Sequence, residues 1–232
     1  MVTKNKLIFD ILNIVRGGLQ SDDEPFSENQ VSFWIDNTRA LLVRRDLEKS
    51  RTINPDIVQT ICAKVIEVDG SECGCVQAGC TILRIKDKLP KTIELYTRNL
   101  ILRVGPVVVG STPFSFISYN QAQFSGNNKW TKRITKTFLH NGYIYIIGSN
   151  PQLSLLTHIT IDAVFEYPEE TSSYSDCNDA PCYTNDSIYP ISSWMIETLK
   201  EMIIKTNFQI GLSTSTDKSN NANHDVQQNV PT

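Results

Sequence analysis

The chain has 232 residues, of which 20% are charged and 9% aromatic, and its formal net charge is −3. This is the composition of a globular protein that can bury one core, and the weak negative charge does not indicate a general nucleic-acid binder. The sequence has no apolar run of membrane-spanning length and no secretory signal at its amphipathic start. We therefore expect a soluble protein that is made in a cytoplasm and has no membrane partner.

The start of the chain, residues 1–50, is predicted to be a hairpin of two amphipathic helices. Gly17-Gly18 can adopt the left-handed backbone that ends the first helix, and an acidic turn follows at 21–25. Ser27 is expected to cap the second helix, with Gln30 as its capping-box partner. The apolar faces, which follow helical spacing, are Leu7, Ile8, Ile11, Leu12 and Val15 in the first helix, and Val31, Trp34, Ile35, Thr38, Leu41 and Leu42 in the second.

The second helix also begins the strongest basic patch of the sequence, formed by Arg39, Arg44, Arg45 and Arg51. One interpretation is a contact with an acidic protein surface or with DNA phosphates. The other is ordinary solvation of the C-terminal half of a helix, which we slightly favour. Both interpretations stay open at the level of the sequence.

The middle of the chain, residues 51–168, is predicted to form a β-rich body. Residues 57–68 are rich in β-branched side chains and predict a strand, although the apolar run is long enough to allow a helix. Shorter elements are expected as strands over 80–85, 93–96, 100–104 and 106–109, and as a short helix within 113–125.

The clearest β signal is a hairpin between residues 133–139 and 143–147. These strands flank Asn141-Gly142, a dipeptide that tight hairpins favour because both positions need positive φ. A further strand is expected over 155–165, where alternation of apolar and polar residues predicts one largely buried face.

A second basic cluster lies at the start of this hairpin, where Trp130 is near Lys129, Lys132, Arg133 and Lys136. An aromatic ring between cations can bind single-stranded nucleic acid by stacking. One tryptophan is a weak platform for that purpose. We therefore favour a residue that anchors a loop or an interface, where tryptophan is enriched.

Five of the six cysteines fall into two groups, with Cys73, Cys75 and Cys80 in the first and Cys177 and Cys182 in the second. If the two groups meet in space, their thiolates would supply a zinc site. Their spacing differs from the usual C-x-x-C, so we favour reduced, half-buried thiols. Disulfides formed after cell lysis are a third interpretation.

The C-terminal part begins with a polar segment, 169–190, which is longer than most connections and is therefore expected to be functional or mobile. Ser192 or Ser193 is expected to cap a last helix within 191–210. Its apolar stripe is Met195, Leu199, Met202 and Ile203. The tail, 211–232, has almost no bulky apolar residues and is expected to be disordered in the free protein.

These elements predict an α+β fold in which the N-terminal helical hairpin and the C-terminal helix pack with a mostly antiparallel β-sheet. The sequence contains three histidines, and none has an acid or nucleophile at a recognisable catalytic spacing. The H-E-x-x-H, G-x-S-x-G and phosphate-loop patterns are also absent from the sequence. We therefore expect no enzymatic activity and no cofactor.

Several short motifs resemble those of a family of virion structural proteins. The family occurs in tailed bacteriophages, chiefly the crAss-like phages of gut Bacteroidales. The resemblance covers roughly residues 4 to 206, and none of its motifs carries chemistry. The motifs are Arg16-Gly17-Gly18, Ser21-Asp22-Asp23, Ser27 with Gln30, Trp34-Ile35, Arg39-Ala40, Cys80-Thr81-Ile82-Leu83-Arg84, Leu89-Pro90, Val104-Gly105-Pro106 and Tyr189-Pro190-Ile191-Ser192.

This resemblance implies a ring protein of the head-to-tail connector that joins the portal to the tail. It implies a ring of twelve copies, contacts with the portal protein and with other tail ring or hub proteins, and transient passage of genomic DNA through the channel. The protein would then be located in the virion neck after assembly in the host cytoplasm. The alternative function is a small zinc- or thiol-containing binding module without catalytic activity.

Overall fold

The fold was obtained as a computed structural model, which describes residues 2–16, 26–49, 52–71, 80–96, 98–108, 110–124, 134–148, 153, 155–175 and 180–208. It confirms the α+β class. The helices are α1 (Lys4–Arg16), α2 (Glu28–Lys49), α3 (Tyr119–Ala122) and α4 (Met195–Ile203), and a π-helical turn, Ile204–Phe208, continues α4. Among the described helices, none is long and apolar enough to cross a membrane. The tail expected to be disordered lies outside the described residues.

The strands form one seven-stranded sheet and one two-stranded ribbon. In chain order they are β1 (Gln59–Asp69), β2 (Thr81–Ile85), β3 (Glu94–Leu95), β4 (Arg98–Asn99), β5 (Ile101–Pro106), β6 (Ser115–Phe116), β7 (Lys136–His140), β8 (Tyr143–Ile147) and β9 (His158–Ala163). The large sheet has the order β5-β9-β1-β2-β8-β7-β6, and β3 pairs with β4. Only the pairing of β6 with β7 is parallel among these described strands.

The long strand β1 joins the two halves of the large sheet. Its first half, Gln59 to Lys64, pairs with β9, whereas its second half, Val65 to Asp69, pairs with β2. The backbone N–H of Phe114, just before β6, donates to the carbonyl of Val104 in β5 at 2.7 Å. The sheet therefore curls until its two edges meet, and alternate side chains of its strands enclose one apolar core. That core includes Ile61, Ala63, Val65, Ile85, Ile144, Ile146, Ile159, Ile161 and Phe165.

A second apolar core lies among the helices. It brings together α1, α2 and α4 with apolar residues from the β-rich body, such as Ile57, Ile93 and Val164. In β9 and the residues after it, Val164 belongs to this helical core while Phe165 belongs to the core inside the sheet. Adjacent residues of an extended chain point to opposite sides, so this segment connects the two cores.

Two local predictions are confirmed in detail. The Ser27 side-chain oxygen accepts a hydrogen bond from the Gln30 backbone N–H at 3.2 Å, as an N-cap should. In the hairpin turn, Asn141 has φ of 51° and Gly142 has φ of 81°. Both values lie in the left-handed region that the tight turn between β7 and β8 requires.

The buried face of α2 differs from the predicted one. Leu41 is exposed, and Trp34, Thr38 and Leu42 are only partly buried. The buried residues are Val31, Ile35, Asp36, Arg39, Ala40, Val43 and Leu47. The prediction counted only apolar residues, whereas the structure buries a carboxylate and a guanidinium that have hydrogen-bond partners on other elements.

Two further boundaries were predicted incorrectly. The strand β5 continues through Gly105 to Pro106, which is tolerated because β5 is an edge strand in the sheet order. Helix α4 begins after Trp194, and its N-terminus has no side-chain cap. Ser192 is instead buried, and its side-chain oxygen accepts a hydrogen bond from the Asn54 amide at 3.0 Å.

The polar segment before α4 packs against the rest of the protein in its described residues. It starts with a 3-10 helix, Pro168–Ser173, in which Pro168 and Thr171 are buried. Ser175 then forms bridges to Cys62 in β1 and to Pro181. Tyr183 and Tyr189 are buried farther along. These residues therefore close one side of the helical core and do not project from it.

Candidate interaction surface

The N-terminus of α1 is held by a buried ion pair that the sequence analysis did not identify. The Lys4 ammonium nitrogen lies 2.7 Å from Oδ2 of Asp36 in α2 and 2.5 Å from Oε1 of Glu169 in the 3-10 helix. The Lys4 side chain is fully buried. Two carboxylates thus balance a cation that would be costly to bury alone.

The same carboxylate of Asp36 also accepts a hydrogen bond from the Tyr189 hydroxyl, at 2.7 Å to Oδ1. Burial raises the pKa of Asp36 even though Lys4 opposes this shift. Burial also raises the pKa of Tyr189 well above its usual value, and the negative charge of Asp36 adds to that increase. The tyrosine therefore remains a protonated donor toward a buried acceptor.

Arg39 lies in the interior next to this ion pair. Its Nε donates to the Pro190 carbonyl at 2.6 Å and its Nη1 donates to the Phe165 carbonyl at 2.8 Å. The guanidinium carbon is 5.7 Å from the centre of the Tyr189 ring. Burial lowers the pKa of Arg39, but a guanidinium starts high enough to keep its charge in a protein. Arg39 therefore connects α2 with the chain that follows β9 and the chain that precedes α4.

An open cleft of about 750 Å³ lies above this network, between α1, α2 and the polar segment. Its lining includes Asn5, Ile8, Glu28, Phe33, Glu170 and Tyr183. Asp36 and Glu169 also face it. We call this region the acidic cleft, since four carboxylates line it.

The wall of the acidic cleft is partly aromatic. Phe33 is 56% exposed. Tyr183 is buried, and its hydroxyl oxygen has no hydrogen-bond partner among the described residues. Burial raises the pKa of Tyr183, and the charges of Asp36 and Glu169 raise it further. The cleft therefore combines negative charge with aromatic surface, which suits a ligand that carries cations and an apolar side chain.

The residues predicted to mediate interactions differ in where the structure places them. Trp34 is partly buried and packs edge-on against Phe26 and Phe208, with ring centroids 5.6 and 5.2 Å away. Arg39 is 0% exposed, so the expectation of a surface cation is wrong for this residue.

Arg44 and Arg45 keep a place near the surface of α2. The Arg44 side chain is 38% exposed, and its Nη2 lies 3.8 Å from Oε1 of Glu166. Arg45 is exposed. Trp130, Lys132 and Arg133 lie outside the described residues, so their role as an anchor stays a prediction.

Cys80 and Cys182, the two described members of the predicted cysteine set, are far apart. Cys80 lies beyond the C-terminal end of β1, where its carbonyl accepts from the Gly70 N–H at 2.7 Å. Cys182 lies near the other end of β1, beside the bridge between Ser175 and Cys62. A strand rise of about 3.3 Å per residue separates these ends by roughly 25 Å. Thiolates of one zinc site lie within about 4 Å of each other, so Cys80 and Cys182 do not share a metal ion.

The remaining members of the predicted cysteine set, Cys73, Cys75 and Cys177, lie outside the described residues. Within the part of the chain that the structure describes, no three His, Cys, Asp or Glu side chains are close enough to hold a metal ion. The described cysteines therefore give no support to the zinc-containing alternative.

A second surface feature lies on the outer side of the sheet near the hairpin. Tyr119 stacks on His140 with ring centroids 4.1 Å apart, and Phe138 stacks on Tyr145 at 5.1 Å. These rings border a shallow cavity of about 530 Å³. The described histidines thus contact aromatic rings or, in the case of His158, the neighbouring Thr157 hydroxyl.

The comparison with known proteins relates the chain to phage tail ring proteins. A family model described as "Phage tail ring protein 2" matches residues 6–227 of the chain. The chain is also similar to "Ring protein 2" of Bacteroides phage crAss001, with 28% identity over 232 residues that cover 97% of this chain and 98% of the relative. The match therefore extends over both apolar cores and over the acidic cleft.

Proposed function

This chain belongs to the phage tail ring protein 2 family, and we propose on that basis that it joins the portal to the tail in the head-to-tail connector of a tailed phage. Copies of the chain would form a closed ring around the channel through which genomic DNA leaves. The observation that carries this proposal is the family match over residues 6–227. Because it includes nearly the whole chain, the ring role concerns the whole protein and not one attached module.

The surface of the single chain supports a role in assembly. Phe9 on α1 and Trp194 before α4 are 61% and 62% exposed, and Val108 and Phe124 of the β-rich body are exposed as well. These apolar side chains are exposed in the single chain and are therefore available for contacts with partners in an assembly. In a ring these contacts are heterologous, with one surface of each copy meeting a different surface of the next.

The copy number and the partners follow from the position proposed for the ring. In connectors of this kind the portal has twelve subunits, and a ring of twelve copies would give each subunit an equivalent contact with it. We propose the portal and other tail ring or hub proteins as neighbours. The net charge of −3 suits a channel wall that DNA passes without binding tightly.

Reconstitution with the portal tests this function. The full chain would be mixed with purified portal protein, and native mass spectrometry and electron microscopy would measure the mass and symmetry of the complexes. We expect a ring of twelve copies attached to the portal and an open channel along its axis. The portal alone and the ring protein alone are the controls. A chain that stays monomeric with and without the portal would contradict the proposal.

A further inference from the structure

We propose that the acidic cleft binds the basic segment 129–133 of a neighbouring copy, and that this contact is one of those that close the ring. The inference rests on the proposed ring function and adds the two surfaces that would meet. We call residues 129–133, with the sequence Lys-Trp-Thr-Lys-Arg, the basic segment.

The acidic cleft has carboxylates that are not neutralised in the single chain. Asp36 and one oxygen of Glu169 are occupied by Lys4. Glu28 is exposed at the start of α2, and Glu170 is exposed in the 3-10 helix. Both therefore remain available to a cation from outside, although one oxygen of Glu170 accepts a hydrogen bond from the Lys91 backbone N–H at 3.1 Å.

The basic segment has the complementary chemistry. It carries Lys129, Lys132 and Arg133 around Trp130, within a chain whose overall charge is −3. The cations match the carboxylates of the cleft, and the indole matches the exposed ring of Phe33.

The chain length favours a second copy over the same copy as the source of the segment. Nine residues separate Phe124 from Ile134, and a loop anchored at both ends with that length reaches at most about 17 Å. None of the residues that line the cleft comes from α3, β6 or β7, the described elements next to those anchors. We therefore assign the cleft that the segment would meet to an adjacent copy.

Charge exchange between the two surfaces tests the contact. The cleft variant is Glu28→Lys with Glu170→Lys, and the segment variant is Lys129→Glu with Lys132→Glu and Arg133→Glu. The combined chain carries all five changes. The control is Glu48→Lys, which reverses a charge at an exposed position of α2 outside the cleft. Circular dichroism and thermal unfolding would verify that each full-length chain is folded.

Self-association would be measured by sedimentation velocity and native mass spectrometry, with and without the portal. We expect the cleft and segment variants each to weaken self-association at least about tenfold because like charges then oppose each other. The combined chain should assemble again, since its charges are exchanged on both sides. An equal mixture of the two variants should form rings in which the two variants alternate, because each cleft then meets a segment of opposite charge.

Three outcomes would overturn the inference. The first is normal ring formation by the folded cleft variant, and the second is a folded combined chain that remains monomeric. The third is a cleft variant that forms rings but no longer binds the portal. The portal would then be the occupant of the cleft. In all three the wild-type ring would still form, so the proposed function would stand. A wild-type chain that never assembles would refute both.

Discussion

Arg39 lies where α2, the end of β9 and the chain before α4 come together. Its two shortest hydrogen bonds reach the carbonyls of Phe165 and Pro190, which no other described side chain supplies with a donor. A guanidinium can do this because its donors spread in fixed directions and its charge persists after burial. One residue thereby fixes the relative position of three segments that are distant in sequence.

Replacing Arg39 tests this role. Arg39→Met keeps much of the apolar volume but leaves two buried carbonyls without their donors, so we expect the free energy of unfolding to fall by about 3 kcal/mol. Arg45→Met is the matched control, because Arg45 lies on the same helix and is exposed. Its effect should stay within about 0.5 kcal/mol. Denaturant unfolding measures the stability of both variants. Equal losses of stability would show that Arg39 does not hold the three segments together.

Because two tyrosines are buried, we expect the free energy of unfolding to depend on pH in the alkaline range. Burial raises the pKa of Tyr183 and of Tyr189 above the ordinary value of 10.0. Above that pH the unfolded tyrosine loses its proton while the folded one keeps it. The unfolded state then binds fewer protons, so stability falls as the pH rises, by up to about 1.4 kcal/mol per pH unit for each tyrosine.

Tyr183→Phe should therefore flatten the loss of stability above pH 10. Because the Tyr183 hydroxyl is buried without a partner among the described residues, its removal should leave stability at pH 7 unchanged or slightly higher. Tyr189→Phe is the comparison, since it also removes the hydrogen bond to Asp36 and should lower stability at pH 7 by about 1 kcal/mol. Unfolding curves across pH 7 to 11 measure both effects. If the Tyr183→Phe variant loses stability above pH 10 as steeply as the wild type, the raised pKa of Tyr183 is not a cause of that loss.

At the scale of elements, α1 is attached by apolar packing and by one ion pair. Leu7, Ile11 and Leu12 are buried in the helical core, while Lys4 joins α2 and the 3-10 helix through Asp36 and Glu169. Apolar packing has little directional preference, whereas a buried ion pair requires one arrangement of its partners. The pair therefore determines where the N-terminus of α1 lies.

A double-mutant cycle measures this attachment. Lys4→Met leaves the Asp36 charge buried and should lower the free energy of unfolding by about 3 kcal/mol. Adding Asp36→Asn removes that charge, so the double variant should be no less stable than Lys4→Met alone. The exposed pair of Lys205 and Glu201 on α4 and its π-helical turn is the control. Its coupling should be below about 0.5 kcal/mol, and an equally small coupling for Lys4 and Asp36 would contradict a buried attachment.

The elements differ in how well the sequence predicted them, and the difference follows from the range of the interactions. The Ser27 cap and the Asn141-Gly142 turn depend on backbone conformation within four residues. The local residue types are therefore enough to predict both features. The buried face of α2 depends on Pro190 and Phe165, more than a hundred residues away. A pattern of apolar residues cannot reveal that Asp36 and Arg39 have partners there.

At the scale of the whole molecule, two apolar cores share one connecting segment. The core inside the curled sheet and the core among the helices meet at Val164 and Phe165. The acidic cleft lies on the helical side, where α1, α2 and the polar segment meet. The described elements α3 and β7, which flank the basic segment in the sequence, do not line the cleft. In a ring subunit the cleft and the basic segment would be the two different surfaces that heterologous contacts require.

The amino-acid sequence alone determined the α+β class, the two N-terminal helices, the hairpin turn and, through its motifs, the resemblance to a phage ring protein. These properties follow from the spacing of apolar residues, from the conformational preferences of neighbouring residues and from short motifs shared with the family. Only the tertiary structure decided the order of the sheet, the burial of Arg39 and Lys4, the separation of Cys80 from Cys182 and the existence of the acidic cleft. Each of these depends on which distant segments meet, and burial of a polar group is favourable only once its partner is in place.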